Sequence, residues 1–266
     1  IAVLDNGKVE FYDDHGAPVK KQMLVADFDE EAAKKGNFPH YMIKEIHEQP
    51  TAVRTTITPR IADGMPCLEE CGMTYERLRN YNNIFVVACG TAMHAGLVGK
   101  YVIEKIARVP VTVDVASEFR YRDPILTDKD LVILVSQSGE TADTLEALRL
   151  AKKNKADTLA IVNVKGSSIA RTADMVIYTH AGPEISVAST KAYMVQLSVF
   201  YLIAFSLAYA VGKITKDECI RLTSELQNVP YVIEEILKKP DECQYVASQL
   251  VNSENLLYIG RGLDYA

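Results

Sequence analysis

Five short runs of β-branched and other apolar residues recur at intervals of roughly 20 residues through the middle of the chain, at 84–89 (IFVVAC), 111–115 (VTVDV), 131–135 (LVILV), 158–162 (TLAIV) and 175–178 (MVIY). Apolar runs this continuous fit strands buried on both faces, and a parallel sheet covered by helices on either side provides that environment. Helical stretches at 93–107 and 141–153, and shorter connections containing 117–119 and 167–171, separate the runs. The repeated strand–helix–strand order predicts an α/β fold: a right-handed, doubly wound sheet of about five parallel strands flanked by helices. With 266 residues, 48% of them hydrophobic, the chain has ample apolar content for such a core in one or two domains. Beyond the fifth run the pattern changes to long C-terminal helices at 187–211, 216–237 and 241–251. The last residues start over, with 256–259 read as a strand, 260–262 as its turn, and the pair as the opening of a second α/β unit.

The N-terminus reads differently. Asn6-Gly7 supplies the positive φ angles of a type I′ turn, so 1–13 is predicted to be a hairpin. A lone hairpin is marginal in water, and the chain is therefore expected to be a piece of something longer. It shows no secretory signal. From 23 to about 61 the composition is mixed and charged, a linker leading into a short helix at 40–49 that is expected to end at Pro50. The uncharged stretch 192–212 is long enough to span a bilayer. Its polar residues, among them Gln196, Ser198 and Ser206, are spread along it, which favours a helix buried in the core or in a subunit contact.

Charge and cysteine content narrow the function classes. With 29 basic and 35 acidic residues the net charge is −6, and no Lys/Arg run is present to attract nucleic acid or an anionic membrane. The five cysteines form no CxxC pair, and no HExxH occurs, so no metal is expected and a reducing cytoplasm fits.

In an open parallel sheet, ligands bind beyond the carboxyl ends of the strands. The third run leads into Ser136-Gln137-Ser138-Gly139-Glu140-Thr141 just before a helix, which supplies hydroxyls, an amide and a free-turning glycine beside a helix N-terminus. Such a loop binds phosphate with neutral donors. A lone hydroxyl there is more simply a cap, but four such residues in six shift the balance to a ligand. The first run leads into Gly90-Thr91-Ala92. A dinucleotide fingerprint needs a glycine where Ala92 stands, so Asp114, in the position of a ribose-binding acid, is discounted. The fifth run leads through Ala181-Gly182-Pro183-Glu184-Ile185-Ser186-Val187-Ala188-Ser189-Thr190-Lys191 into the apolar helix. Glu184 and Lys191 are acid, base or nucleophile candidates there, although charges at such boundaries are more often caps or surface pairs. His94 and His180 are read as packed or solvated, and Cys89 as a small core residue.

Together these segments resemble the isomerase half of the glutamine–fructose-6-phosphate aminotransferases. Ala88-Cys89-Gly90-Thr91, Ala116-Ser117-Glu118-Phe119-Arg120-Tyr121, Ser136 to Thr144 and Glu184 to Ala192 carry the resemblance, and the segment His40 to Pro50 is similar to that family's interdomain linker. The resemblance implies a sugar-isomerase (SIS) fold. It implies a tail of a glutaminase domain at 1–22, a linker at 23–44, a first SIS domain at 45–240 and the start of a truncated second at 241–266. It implies that Ser136, Gln137, Ser138 and Thr141 hold the phosphate of fructose 6-phosphate or glucosamine 6-phosphate, with Thr91, Val187 and Ser189 near the sugar. Relatives mostly carry Ser where this chain has Ala92, so only a backbone contact remains at that position. The family's catalytic groups are expected outside the chain, which therefore binds without catalysing; no cofactor or metal is implied. Glutamine acts through the absent glutaminase domain, and a homodimer is expected. A non-catalytic SIS sensor is the alternative, although such a regulator would bring a basic helix-turn-helix that is not seen here.

Overall fold

The computed structural model describes residues 1–21 and 33–266; residue 22 and the linker segment 23–32 lie outside the described residues. The chain divides into two units, Ile1–Lys34 and Lys35–Ala266. In the first, β1 (Ala2–Asp5) and β2 (Lys8–Phe11) pair antiparallel, with Asp5 opposite Lys8. Asn6 and Gly7 turn the chain at φ 47° and 79°, the left-handed angles that a type I′ turn needs.

The second unit begins with α1 (Tyr41–Ile57), which runs straight through Pro50 and does not end there. Proline removes one backbone hydrogen bond, but Ala52, Val53 and Ile57 beyond it are buried in the core, and that burial outweighs the loss. The two-residue strands β3 (Ile61–Ala62) and β4 (Met65–Pro66) form a small hairpin, and α2 (Tyr75–Leu78) leads to the main sheet. There β5 (Asn83–Ala88), α3 (Gly90–Ile106), β6 (Val111–Val115), α4 (Ala116–Phe119), β7 (Asp130–Ser136), α5 (Ala142–Lys153), β8 (Asp157–Val162), α6 (Ser168–Thr172) and β9 (Met175–Tyr178) alternate as the sequence pattern requires. All strand pairs are parallel, in the order β6-β5-β7-β8-β9.

Both sheet faces are apolar, which is why the strand runs lack polar alternation. Ile84, Val86, Leu131, Ile133, Leu159 and Ile161 face one core with α1, α3, α7 (Lys191–Ala210) and α8 (Lys216–Leu237). Val87, Val132, Leu134, Ala160 and Val162 face the other, against α4, α5 and α6. Among the described residues α7 is the one helix long and apolar enough to cross a membrane, and 72% of its most apolar window is buried inside the protein. Much of its apolar surface is covered by α1, α3 and α8 of the same chain, as a core helix requires.

Two further segments differ from the sequence expectation. Helix α7 starts at Lys191 and not near 187, because Thr190 has non-helical angles (φ −128°, ψ −75°) and the chain before it bends at 186–188. The segment 256–259 is not a strand. It follows α9 (Pro240–Leu250) with no neighbouring strand among the described residues to complete its backbone hydrogen bonds; Leu257, Tyr258 and Ile259 are 88–97% exposed, and a 3-10 turn follows at Gly262–Tyr265.

Candidate functional site

The strand order reverses direction between β5 and β7: the chain leaves β5 toward β6 on one side and leaves β7 toward β8 on the other. A crevice opens at the carboxyl ends of such a strand pair. Here it is a cavity of about 290 Å³. It gathers all eight residues singled out in the sequence: Thr91 and Ala92 after β5, Ser136, Gln137, Ser138 and Thr141 after β7, and Val187 and Ser189 before α7.

The β7–α5 loop is shaped by its own hydroxyls. Ser136 Oγ accepts a hydrogen bond from the Gly139 amide (3.0 Å) and lies 2.9 Å from Thr141 Oγ1, while Ser138 Oγ accepts from the Glu140 amide (3.2 Å). Gly139 has φ +66°, and a Cβ at that position would lie 2.0 Å from Ser167 Oγ, so only glycine fits. The loop is clamped to the β8–α6 connection. The Ile169 amide donates to Gly139 O (3.0 Å), the Asn163 amide to Gln137 O (3.1 Å) and the Ser168 amide to Glu140 Oε1 (2.8 Å). That bond with Ser168 holds the Glu140 carboxyl below the ordinary range. Thr141 is the N-cap residue of α5, yet its side chain makes no capping bond and turns toward Ser136 instead. The first-turn amides of α5 and the positive end of its dipole therefore face the loop without a side-chain cap.

On the β5 side, Ala92 lies in the first turn of α3, where backbone amides have no partner within the helix. Its amide thus remains a donor although its side chain offers none. Among the described residues no Lys or Arg lines the cavity, and the one carboxylate there, Glu184, accepts from Ser189 Oγ (3.0 Å) and from the amides of Thr190 (3.0 Å) and Ala192 (3.1 Å). Glu184 is thus the cap of α7. Lys191, 2% exposed, points to Glu48 on α1 (2.6 Å). Both side chains are thus engaged in structural bonds. Asp114 pairs with Arg122 (2.6 Å), and neither His94 nor His180 lines the cavity. Among the described residues no cluster of His, Cys, Asp or Glu is placed to hold a metal.

The cavity also takes in residues that the sequence reading left out. Cys89, read as core, contributes to the lining, as does Ser186. Gln196, on α7, is 4% exposed and its Oε1 has no hydrogen-bond partner among the described residues. Its signal was present in the sequence as a carboxamide inside an apolar helix. Glu45 on α1, 2% exposed, accepts through Oε1 from the amides of Ile185 (2.7 Å) and Ser186 (3.1 Å), and through Oε2 from Ser186 Oγ. No local pattern announces a contact across 140 residues.

Comparison with known proteins places this geometry in context. The SIS domain family matches residues 77–206. A glutamine–fructose-6-phosphate aminotransferase (isomerizing) of Clostridium acetobutylicum is 49% identical over 265 residues, covering 99% of this chain and 44% of that protein. Its counterpart in Caldanaerobacter subterraneus is 50% identical over 267 residues, with 100% and 44% covered. The chain thus spans less than half the length of these relatives. Among solved structures, the C-terminal domain of the glucosamine-fructose-6-phosphate aminotransferase from Francisella tularensis superposes with a TM-score of 0.83 at 40% identity, covering 87% of this chain and 66% of that one.

Proposed function

Because the chain belongs to the glutamine–fructose-6-phosphate aminotransferase family and carries its SIS domain, we propose that it is the fructose-6-phosphate-binding part of an isomerase half that makes glucosamine 6-phosphate. One observation carries the reading: a cavity at the sheet's switch point is lined by Ser136, Gln137, Ser138 and Thr141 at the start of α5, with no Lys or Arg among the described residues. Hydroxyls, backbone amides and the helix dipole suit a phosphate ester, and the Thr91, Val187 and Ser189 side of the cavity is left for the sugar. Glu184 and Lys191, the candidate reacting side chains in the last loop, are engaged in structural bonds, which supports a binding role for this chain, with the family's catalytic groups expected outside it.

In the whole protein, residues 1–22 are read as the tail of a glutaminase domain that uses glutamine, 23–44 as a linker, 45–240 as the first SIS domain and 241–266 as the start of a second. We read the protein as a cytoplasmic homodimer that contacts neither nucleic acid nor membrane, in keeping with its net charge of −6 and the burial of its most apolar helix.

Calorimetric titration with fructose 6-phosphate, against unphosphorylated fructose, tests the site. Binding is expected for the phosphate ester alone and is expected to weaken about tenfold in Thr141→Ala, the equivalent of one charge-assisted hydrogen bond. Equal binding of fructose, or an unchanged Kd in Thr141→Ala, would move the site elsewhere.

A further inference from the structure

The wall formed by residues 184–189 is held at its far end by Glu184, which takes the Ser189 hydroxyl and the Thr190 and Ala192 amides, and at its start by α1. Ile185 and Ser186 give their amides to Glu45 Oε1 at 2.7 and 3.1 Å, and the Ser186 hydroxyl goes to Glu45 Oε2. One turn further along the same face of α1, Glu48 Oε2 takes the Lys191 ammonium at 2.6 Å. The loop is therefore fastened to α1 near both ends, by carboxylates whose bonds are charge-assisted and short. Glu45 is 2% exposed and does not line the cavity, while Ser186, Val187 and Ser189 do. Helix α1 lies before the stretch 77–206 that the SIS domain family matches.

From this arrangement we infer that Glu45 is a positioning residue, holding the 184–189 wall in the form that receives the sugar, so that α1 is working machinery of the site and not only a connector. The inference rests on the sugar-phosphate reading above. It separates two halves of the cavity. The β7–α5 loop is clamped to the β8–α6 connection and needs nothing from α1, whereas the sugar-side wall depends on it. Loss of the Glu45 acceptor should therefore weaken recognition of the whole sugar phosphate while leaving recognition of bare phosphate intact.

The test uses the full chain with two substitutions, measuring the Kd for fructose 6-phosphate by calorimetry and that for inorganic phosphate by competition. Glu45→Leu keeps the volume and the helix but removes the acceptor. It is expected to weaken fructose 6-phosphate about tenfold or more, with phosphate held within about twofold. Amide hydrogen exchange in this variant should rise at 185–186 and stay unchanged in the strands. Glu45→Gln keeps an oxygen able to accept both amides, and is expected to stay within about threefold of the unaltered chain. Equal weakening of both ligands in Glu45→Leu, or no weakening of either, would overturn the inference. If Glu45→Leu does not fold, the same pair of measurements on Glu45→Ala decides: fructose 6-phosphate weakened about tenfold with phosphate retained supports the inference, and equal weakening of both ligands or of neither overturns it. Failure of the unaltered chain to bind fructose 6-phosphate would overturn the sugar-phosphate reading itself, and this inference with it.

Discussion

At the scale of single residues, the site depends on a hydroxyl pair and on a glycine that leaves room for it. Ser136 Oγ serves both the Gly139 amide and Thr141 Oγ1, and Gly139 has the left-handed angles that let its amide reach back. Gly139→Ala is expected to cost about 1–3 kcal/mol, from the strained φ and from the methyl meeting Ser167 Oγ, and to abolish measurable fructose 6-phosphate binding. Thermal unfolding and calorimetry on the same sample check this; an unchanged melting temperature with an unchanged Kd would show that the turn does not shape the site. The hydroxyl run was legible in the sequence because it follows a strand and precedes a helix, a context that gives neutral donors a purpose. The fates of Glu184 and Lys191 were not legible. A charged residue at a helix start reads the same whether it caps, pairs or reacts, and only the positions of the Thr190 and Ala192 amides and of Glu48 decided between these roles.

At the scale of elements, the five strands were readable because burial on both faces writes itself as uninterrupted apolar runs. The end of α1 was not. Pro50 is a strong local stop signal, and what overrides it is contact with α7 and α8, which lie more than a hundred residues downstream. The 256–259 segment shows the converse: its composition suits a strand, but among the described residues no strand pairs with it. Helices α3 and α7 meet through a second glycine. A Cβ on Gly99 would lie 2.5 Å from Phe200 Cδ1, so the absence of a side chain admits the ring. Gly99→Ala is expected to destabilise the chain by about 1–3 kcal/mol through overpacking. Adding Phe200→Leu should recover part of that loss, giving a non-additive double-mutant cycle in urea denaturation; strict additivity would mean that the two residues do not share the space.

At the scale of the whole molecule, stability and binding are located at opposite ends of the sheet. The cavity lies at the carboxyl ends of the strands. At their amino ends, Asp157 accepts from Arg77 Nε (2.8 Å) and from the Tyr81 hydroxyl (2.6 Å). The Arg77 hydrogen bond holds the Asp157 carboxyl below its ordinary value, against the opposing effect of burial, and the Tyr81 bond adds to the lowering. Burial, with the Asp157 bond, pushes the Tyr81 hydroxyl up. Near pH 4 the unfolded chain therefore binds more protons at this carboxyl than the folded one. Its contribution to stability is complete above the ordinary carboxyl value of about 4 and disappears as pH falls through the lower folded value. The melting temperature is expected to fall in acid for this reason among others. Asp157→Asn should lower it by about 2–4 °C at neutral pH and reduce its acid dependence, with fructose 6-phosphate affinity at pH 7 unchanged. A loss of affinity in that variant would mean that the two ends are coupled.

The attachment of α1 also bears on the order of events during synthesis. Its carboxylates meet Ile185, Ser186 and Lys191, and Arg54 meets Glu234 (2.8 Å), so its partners lie 140 to 180 residues away in the chain. When residue 57 leaves the ribosome, neither α7 nor α8 has been made, and the apolar face that α1 will bury has nothing to cover it. The sheet between them consists of crossovers that can close one after another, but α1 must wait for the whole of it. The cavity wall is therefore among the last features to be completed, and a nascent chain has no binding site until its longest-range contacts are in place.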